Sequence, residues 1–293
     1  MMERFVFVVV NFNGGDRLFS CVSSIRNQEA GAAVVIVDNG STDGSSGKVS
    51  CAFPGTVVIR NAENRGFAAG LNAGIRRADG EYIVALNSDV ELAPDFIAIL
   101  KEKAAGDGMI SPLILGPDGG VDSRGVFIGK WLHRFYDARD RVCASKVLGP
   151  KGACAVFSRK FLESVRLGDE YFDEDFFLIA EDIDLAWRAR LLGWRNRHVP
   201  ELRCRHEGGF STGKSELARF LALRNRYLLL IKNGDWRDFL ALACFAPFYD
   251  LPRLAHFMLT NRGGGRLVKE MPALAAKMAV KRGQLRLKMK GTA

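Results

Sequence analysis

Asn87-Ser88-Asp89 ends an apolar run that begins at Ile83. A buried strand that stops in a short acidic turn is where an open α/β sheet places its ligand. A carboxylate there can hold a hard divalent cation through oxygen, and the cation can hold a diphosphate. A plainer reading fits as well, in which Asp89 caps a turn before a helix opened by Pro94. A second acidic group, Glu181-Asp182-Ile183-Asp184, starts a helix closed by Gly193. The helix dipole favours acids in a first turn. It leaves unexplained an acid pair beside Phe172 to Ala180, a segment mixing aromatics with acids. His206 follows a strand pattern, where a lone histidine is usually structural and otherwise a metal ligand.

These groups need a frame to hold them. Phe5 to Val10, Ala33 to Val37, Thr56 to Arg60 and Ile83 to Leu86 read as strands, the first two as runs buried on both faces. Leu18 to Gln28 and Phe67 to Ala78 read as helices, with Gly70 and Gly74 marking close packing in the second. Strand, polar turn and helix repeated in this way imply right-handed βαβ units in a mostly parallel sheet. The turns at Asn11, Asp38, Asn64 and Asp89 then converge on one sheet edge, where nucleotides bind in such folds. No G-x-G-x-x-G follows the first strand, and no P-loop lysine is present.

From Gly106 to Pro150 the pattern weakens into short β-like pieces. Gly129 to Lys146, with Trp131, His133, Arg134, Phe135, Tyr136, Arg139 and Arg141, reads as a loop beside the site or a plain surface excursion. Arg197 to Cys204 is a last strand, and Ser215 to Lys232 an amphipathic helix. Phe239 to Phe257 is apolar but broken by Pro247, Asp250, Pro252 and Arg253.

The 293 residues suffice for one large α/β domain with an appendage. The formal charge of +9 is a property of the C-terminus, because Leu251 to Ala293 holds ten Lys/Arg against one Glu. Met271 to Lys290 alternates apolar and basic residues at helical spacing. That profile suits a helix lying in an anionic membrane surface better than a solvated helix docked on the domain. Nucleic acid is not expected as a partner, since no stacking platform or reader motif accompanies the charge. Six scattered cysteines without a C-x-x-C indicate reduced thiols in a cytosolic setting. No apolar run reaches the roughly 20 residues of a membrane span.

Seven segments together resemble glycosyltransferase family 2, the inverting enzymes of GT-A fold, and its rhamnosyltransferase-like branch. They are VVVNFNGG (8–15), VDNGSTDGS (37–45), NRGFAAGLNAGI (64–75), LNSDV (86–90), EDIDLAWRARLLGW (181–194), the turn at His206-Glu207-Gly208-Gly209, and LRNRYLLLIKN (223–233). The resemblance runs from residue 4 to about residue 233. It implies a GT-A-type nucleotide-diphospho-sugar-binding α/β fold over residues 1–212 and a basic helical extension over 213–293 that associates with membrane.

The resemblance also implies roles. Asn11, Asp38, Asn64, Asn87 and Ser88 would hold the donor nucleotide. Asp89 matches the last acid of the family's D-x-D motif and His206 its histidine, the pair holding Mg²⁺ or Mn²⁺. Asn87 stands where the first acid is expected, which removes one charge from that site. Asp182 matches the catalytic base, which takes the acceptor hydroxyl's proton. Glu181, Asp184, Arg224 and Arg226 would meet the acceptor or the diphosphate. The implied reaction moves a sugar, rhamnose or another deoxyhexose, from a dTDP- or UDP-linked donor to a glycan or polyprenyl-linked acceptor. It would take place at the cytoplasmic face of the cell membrane. A sugar nucleotidyltransferase is disfavoured, because Asn13-Gly14-Gly15-Asp16-Arg17 lacks the G-G-x-G-T-R pattern that those enzymes resemble. A non-catalytic nucleotide-sugar-binding scaffold would need no base at Asp182.

Overall fold

The computed structural model describes residues 3–28, 32–104, 106, 108–129, 135–137, 147–208, 215–261 and 263–291. Most of the Gly129 to Lys146 segment, and Gly209, therefore lie outside the described residues.

The first half alternates strand and helix as the turn chemistry requires: β1 (Glu3–Asn11), α1 (Asp16–Arg26), β2 (Ala33–Asp38), α2 (Ser45–Ala52), β3 (Val57–Arg60), α3 (Phe67–Arg77) and β4 (Gly80–Asn87). These four strands are parallel in the order β3-β2-β1-β4. Register sets Asn11 opposite Asp38 and Val10 opposite Asn87, so the polar turns end level at one sheet edge.

Beyond β4 the expected parallel sheet becomes mixed. β5 (Val90–Leu92) and α4 (Phe96–Lys103) precede β6 (Met109–Leu115), β7 (Val121–Ser123), β8 (Val126–Ile128), β9 (Phe135–Asp137), β10 (Cys154–Ser158), α5 (Arg159–Val165), α6 (Glu181–Leu191) and β11 (Asn196–His206). The sheet continues β4-β10-β6-β11-β5, in which only β6 and β11 run parallel. β10 enters antiparallel between β4 and β6, and β5 pairs antiparallel with β11 at the far edge.

Burial explains the apolar runs. Along β1, Phe5, Phe7 and Val9 pack with Leu18, Val22 and Ile25 of α1 and with Phe96 and Leu100 of α4. Val6, Val8 and Val10 point the other way, against Phe67, Leu71 and Ile75 of α3 and toward α5 and α6. Each such side chain contributes roughly 1.5–3 kcal/mol by leaving water. The α3 glycines are packing residues, as a Cβ on Gly74 would lie 2.3 Å from Val8 Cγ1 and one on Gly70 would lie 2.8 Å from Val10 Cγ1. Cys21, Cys154 and Cys204 are buried free thiols, and Cys51 and Cys244 are exposed ones.

Four helices complete the chain: α7 (Glu216–Asn233), α8 (Trp236–Phe245), α9 (Asp250–Thr260) and α10 (Gly264–Gly291). Leu228, Leu229 and Leu230 of α7 and Met278 of α10 form one core with Ile183, Ala186 and Trp187 of α6. The basic tail helix thus packs on the protein through Met278. Lys281 bonds Glu170, Asp173 and Asp175, Lys277 lies 2.9 Å from Asp175, and Lys288 donates to the Arg166 carbonyl. Among the described residues no helix is long and apolar enough to cross a membrane.

Candidate active site

At the level edge of the sheet, His206 closes β11 and pairs in register with Val90 of β5, which sets it beside Asp89. Its Nε2 lies 3.4 Å from Asp89 Oδ1, and its Nδ1 lies 3.3 Å from Asp122 Oδ2. Asp122 also accepts from Lys151 Nζ at 2.9 Å. Burial opposes a charge on His206, but bonds to Asp122 and Asp89 outweigh it and lift the imidazolium to about 9. The His206 bond holds the Asp122 carboxyl well below the ordinary range, with Lys151 adding to the effect against burial. Burial raises the Asp89 carboxyl, but the bond to His206, the charge of that ring, a backbone bond and Arg17 together bring it below its ordinary value.

Asp89 Oδ1 and His206 Nε2, once that nitrogen gives up its proton, would make a donor set suited to a divalent cation, with the far ring nitrogen fixed by a carboxylate. Among the described residues no three of His, Cys, Asp and Glu gather closely enough to hold a metal ion by themselves. Substrate phosphate oxygens would have to complete the shell, which is how such cations commonly bind nucleotides.

Asp182 lies in the first turn of α6. Its Oδ2 accepts from the Gly152 N–H at 2.8 Å and its Oδ1 from the Ile183 N–H at 2.7 Å, so the half-buried carboxylate is fixed in place. Glu181 beside it is buried, and its Oε2 has no hydrogen-bond partner. Burial first, then the neighbouring charges of Asp182 and Asp184, push the Glu181 carboxyl well above its ordinary range.

The backbone leading into these acids is strained. Phe177, Ile179 and Ala180 all take positive φ, at 65°, 71° and 74°. For a β-branched residue such as Ile179 that region is a genuine outlier, costing about 1–3 kcal/mol. Asn225 of α7 holds the segment by donating from Nδ2 to the carbonyls of Phe176, Leu178 and Ile179 at 3.0, 2.9 and 2.6 Å. Arg224 adds bonds to the carbonyls of Asp175 and Phe176 at 2.8 and 3.0 Å.

Two cavities meet here. One, of about 680 Å³, is lined by Phe12, Asn64, Ser88 and Asp89 among others. The second, of about 620 Å³, is lined by Lys151, Glu181, Asp182, Arg219, Arg253 and His256 among others. Asn87, His206 and Phe67 border both.

The structure therefore gathers Asn64, Asn87, Ser88, Asp89, Glu181, Asp182 and His206. Asn11 and Asp38 sit at the same edge but are turned into the loop above them. Asn11 bonds Ser41, Ser45 and Gly14, and Asp38 bonds the Ser41 N–H and the Ser46 hydroxyl. Three of the expected residues are not brought to these cavities. Asp184 is fully buried, held by Arg188, Lys232 and Asn233, because its place on α6 faces α7. Arg224 grips the strained segment, and Arg226 pairs with Asp250 at 2.6 Å, so neither guanidinium reaches the cavities. Asp122, Lys151 and Asn225 were missed. Asp122 lies in a stretch without periodicity, and Asn225 is masked by the leucines around it.

The family profile described as Glycosyl transferase family 2 matches residues 6–166, and that of Glycosyl transferase family group 2 matches residues 119–268. The chain is 25% identical to an N-acetylglucosaminyl-diphospho-decaprenol L-rhamnosyltransferase of Mycobacterium tuberculosis, covering 81% of this chain and 88% of that relative. It is 23% identical to a poly-beta-1,6-N-acetyl-D-glucosamine synthase of Staphylococcus aureus, covering 69% of this chain and 50% of that one. Among solved structures, a mannosyltransferase from Pyrobaculum calidifontis in complex with GDP-Man and Mn²⁺ superposes with TM-score 0.59 at 20% identity, over 99% of this chain and 87% of that chain. S. aureus TarS residues 1–349 superpose with TM-score 0.57 at 17% identity, over 99% and 89%. The fold is that of these proteins, a mixed α/β sheet flanked by helices.

Proposed function

Because this chain belongs to glycosyl transferase family 2 and is a glycosyltransferase, we propose that it inverts configuration while moving a sugar from a nucleotide diphosphate to an acceptor hydroxyl, with Asp182 as base. The observation that carries this reading is the pair of adjoining cavities sharing Asn87 and His206, with Asp89 at one and Asp182 at the other.

The donor lies in the first cavity. Asn64, Asn87 and Ser88 offer hydrogen bonds to its nucleotide and ribose, and Asn11 and Asp38 hold the loop beneath it. Asp89 and His206 face the diphosphate and would hold Mg²⁺ or Mn²⁺ with it. Such a cation supplies positive charge that makes the diphosphate a good leaving group. The acceptor hydroxyl enters from the second cavity. Asp182 takes its proton as the oxygen attacks the anomeric carbon from the face opposite the diphosphate. The bond from that carbon to the phosphate oxygen breaks, and its electron pair leaves with the nucleoside diphosphate. Burial disfavours the charged form of Glu181, which leaves the role of base to Asp182.

Helices α7 and α9 contribute to the acceptor side, through Arg219 and Leu223 and through Arg253 and His256 in the second cavity's wall. The name of the mycobacterial relative supports a deoxyhexose such as rhamnose as the transferred sugar, and a polyprenyl-diphosphate glycolipid as acceptor. An enzyme acting on such an acceptor works at a membrane surface, here the inner face of the cell membrane. The reading is tested by thermal shift with dTDP, UDP, GDP and CDP, each with and without Mg²⁺ or Mn²⁺. A ligand at a hundred times its Kd stabilises by about 2.7 kcal/mol. A cation-dependent shift with one nucleotide supports the site and identifies the donor class, whereas no shift with any of them overturns it.

A further inference from the structure

Five large apolar side chains between Trp236 and Leu259 stay mostly in water. Trp236 is 67% exposed, Leu240 57%, Phe248 84%, Leu251 58% and Leu259 86%. α8 reads WRDFLALACF, and none of its residues is buried. Single exposed leucines are ordinary, but a concentration like this marks a surface that is covered in use. Leu221, Leu223, Leu228, Leu229 and Leu230 of α7, in the same chain, are by contrast buried almost completely.

We propose that α8 and α9 dock this protein on an anionic lipid surface, and that α9 borders the path by which a lipid-borne acceptor reaches Asp182. The second clause rests on the transferase reading; the docking does not.

Four observations single out lipid as the occupant. The helices have 10 and 11 residues, so they suit a position in the plane of an interface and not across it. Trp236 carries the Arg237 guanidinium over its ring at 5.3 Å, and Tyr249 carries that of Arg253 at 5.9 Å. Aromatic rings joined to cations match the headgroup layer, which is apolar on one side and anionic on the other.

Charge points the same way. The chain from Leu251 onward holds ten Lys/Arg against one Glu, and Lys269, Arg286 and Lys290 of α10 are exposed. Each cation near an anionic leaflet contributes about 1 kcal/mol. A second copy meeting this face symmetrically would set its basic chain end near the same charges. Finally, α9 has a second side. Arg253, His256, Phe257 and Thr260 line the cavity that holds Asp182, while Leu251 and Leu259 of the same helix face water.

The test is sedimentation of the full chain with vesicles of phosphatidylcholine alone and of phosphatidylcholine with phosphatidylglycerol. The comparison protein carries Phe248→Glu and Leu259→Glu, two exposed positions outside the site. Folding is checked by the melting temperature, and the donor site by the nucleotide-induced shift in the same samples. The wild type is expected to bind the anionic vesicles. The double variant is expected to bind at least about tenfold more weakly, with its melting temperature and nucleotide shift unchanged. Equal binding by the two proteins overturns the proposal and leaves the membrane contact to the charges of α10. Failure of the wild type to bind also overturns it, as does a wild-type dimer in light scattering that the variant abolishes without any vesicle binding. Vesicle binding without a shift from any nucleotide supports the docking and counts against the transferase reading alone.

Discussion

His206 Nδ1 lies 3.3 Å from Asp122 Oδ2, and this contact fixes which way the other ring nitrogen faces. An Nδ1–H donated to Asp122 leaves Nε2 directed at Asp89, 3.4 Å away. Lys151 holds Asp122 from behind at 2.9 Å and also borders the cavity of Asp182. The cation side and the acceptor side of the site thus share one chain of polar contacts.

Asp122→Asn keeps the size of the side chain and removes its charge. Outer partners of a ligating histidine are typically worth 10–100-fold in metal affinity. The variant should bind Mn²⁺ with nucleotide at least roughly tenfold more weakly, and nucleotide alone as before, by calorimetry. Unchanged cation affinity would show that the contact is merely structural.

Asn225→Leu removes the amide that holds the carbonyls of Phe176, Leu178 and Ile179. The strained backbone before Glu181 then loses its restraint, and Asp182 loses its fixed position. Turnover should fall at least roughly tenfold, since small misplacements at a reacting centre cost up to about a hundredfold. Donor Kd should change less than turnover, although Phe177 and Leu178 of the loosened segment also line the donor cavity. Limited proteolysis should also cut near residue 178 sooner than in the wild type. A variant with normal turnover and normal proteolysis would contradict the positioning role.

Asp173 gives a pH dependence with a definite sign. Burial raises its carboxyl, but Lys232 and Lys281 overcome this and hold it at about 2, against an ordinary value of 3.8. The stabilisation is complete above the unfolded value and is lost as pH falls from there through about 2. It amounts to about 2 kcal/mol. In Lys281→Met the acid limb of stability against pH should shift upward, as read by urea denaturation at graded pH. An unmoved limb would rule out this network as its source.

The parallel half of the fold was legible because β1, β2 and β4 are buried on both faces and therefore read as unbroken apolar runs. Asn87-Ser88-Asp89 was legible for the same reason, being the place where such a run stops. The far half was obscure because β7, β8 and β9 have three residues each, too few for a period to show. Asp184 illustrates a different limit. A carboxylate at a helix start looks the same whether it faces substrate or core, although Arg188 four residues on was a cue that the two form a pair. Asn11 and Asp38 carry the signal of a ligand edge, but loop building draws on the same residue types. Asn225 lies in the LRNRYLLLIKN segment, yet its role was not legible there, because its partners are backbone carbonyls some 47 residues away.

The central claim, that Asp182 is the base, is tested most directly by Asp182→Asn. Release of nucleoside diphosphate from the sugar donor would be followed with a membrane-lipid extract supplying acceptors, and donor binding would be measured in parallel. Loss of a general base lowers turnover by roughly 10²–10⁴-fold. The account predicts that loss with donor Kd unchanged, since Asp182 borders only the acceptor cavity. Undiminished turnover in the variant would contradict it.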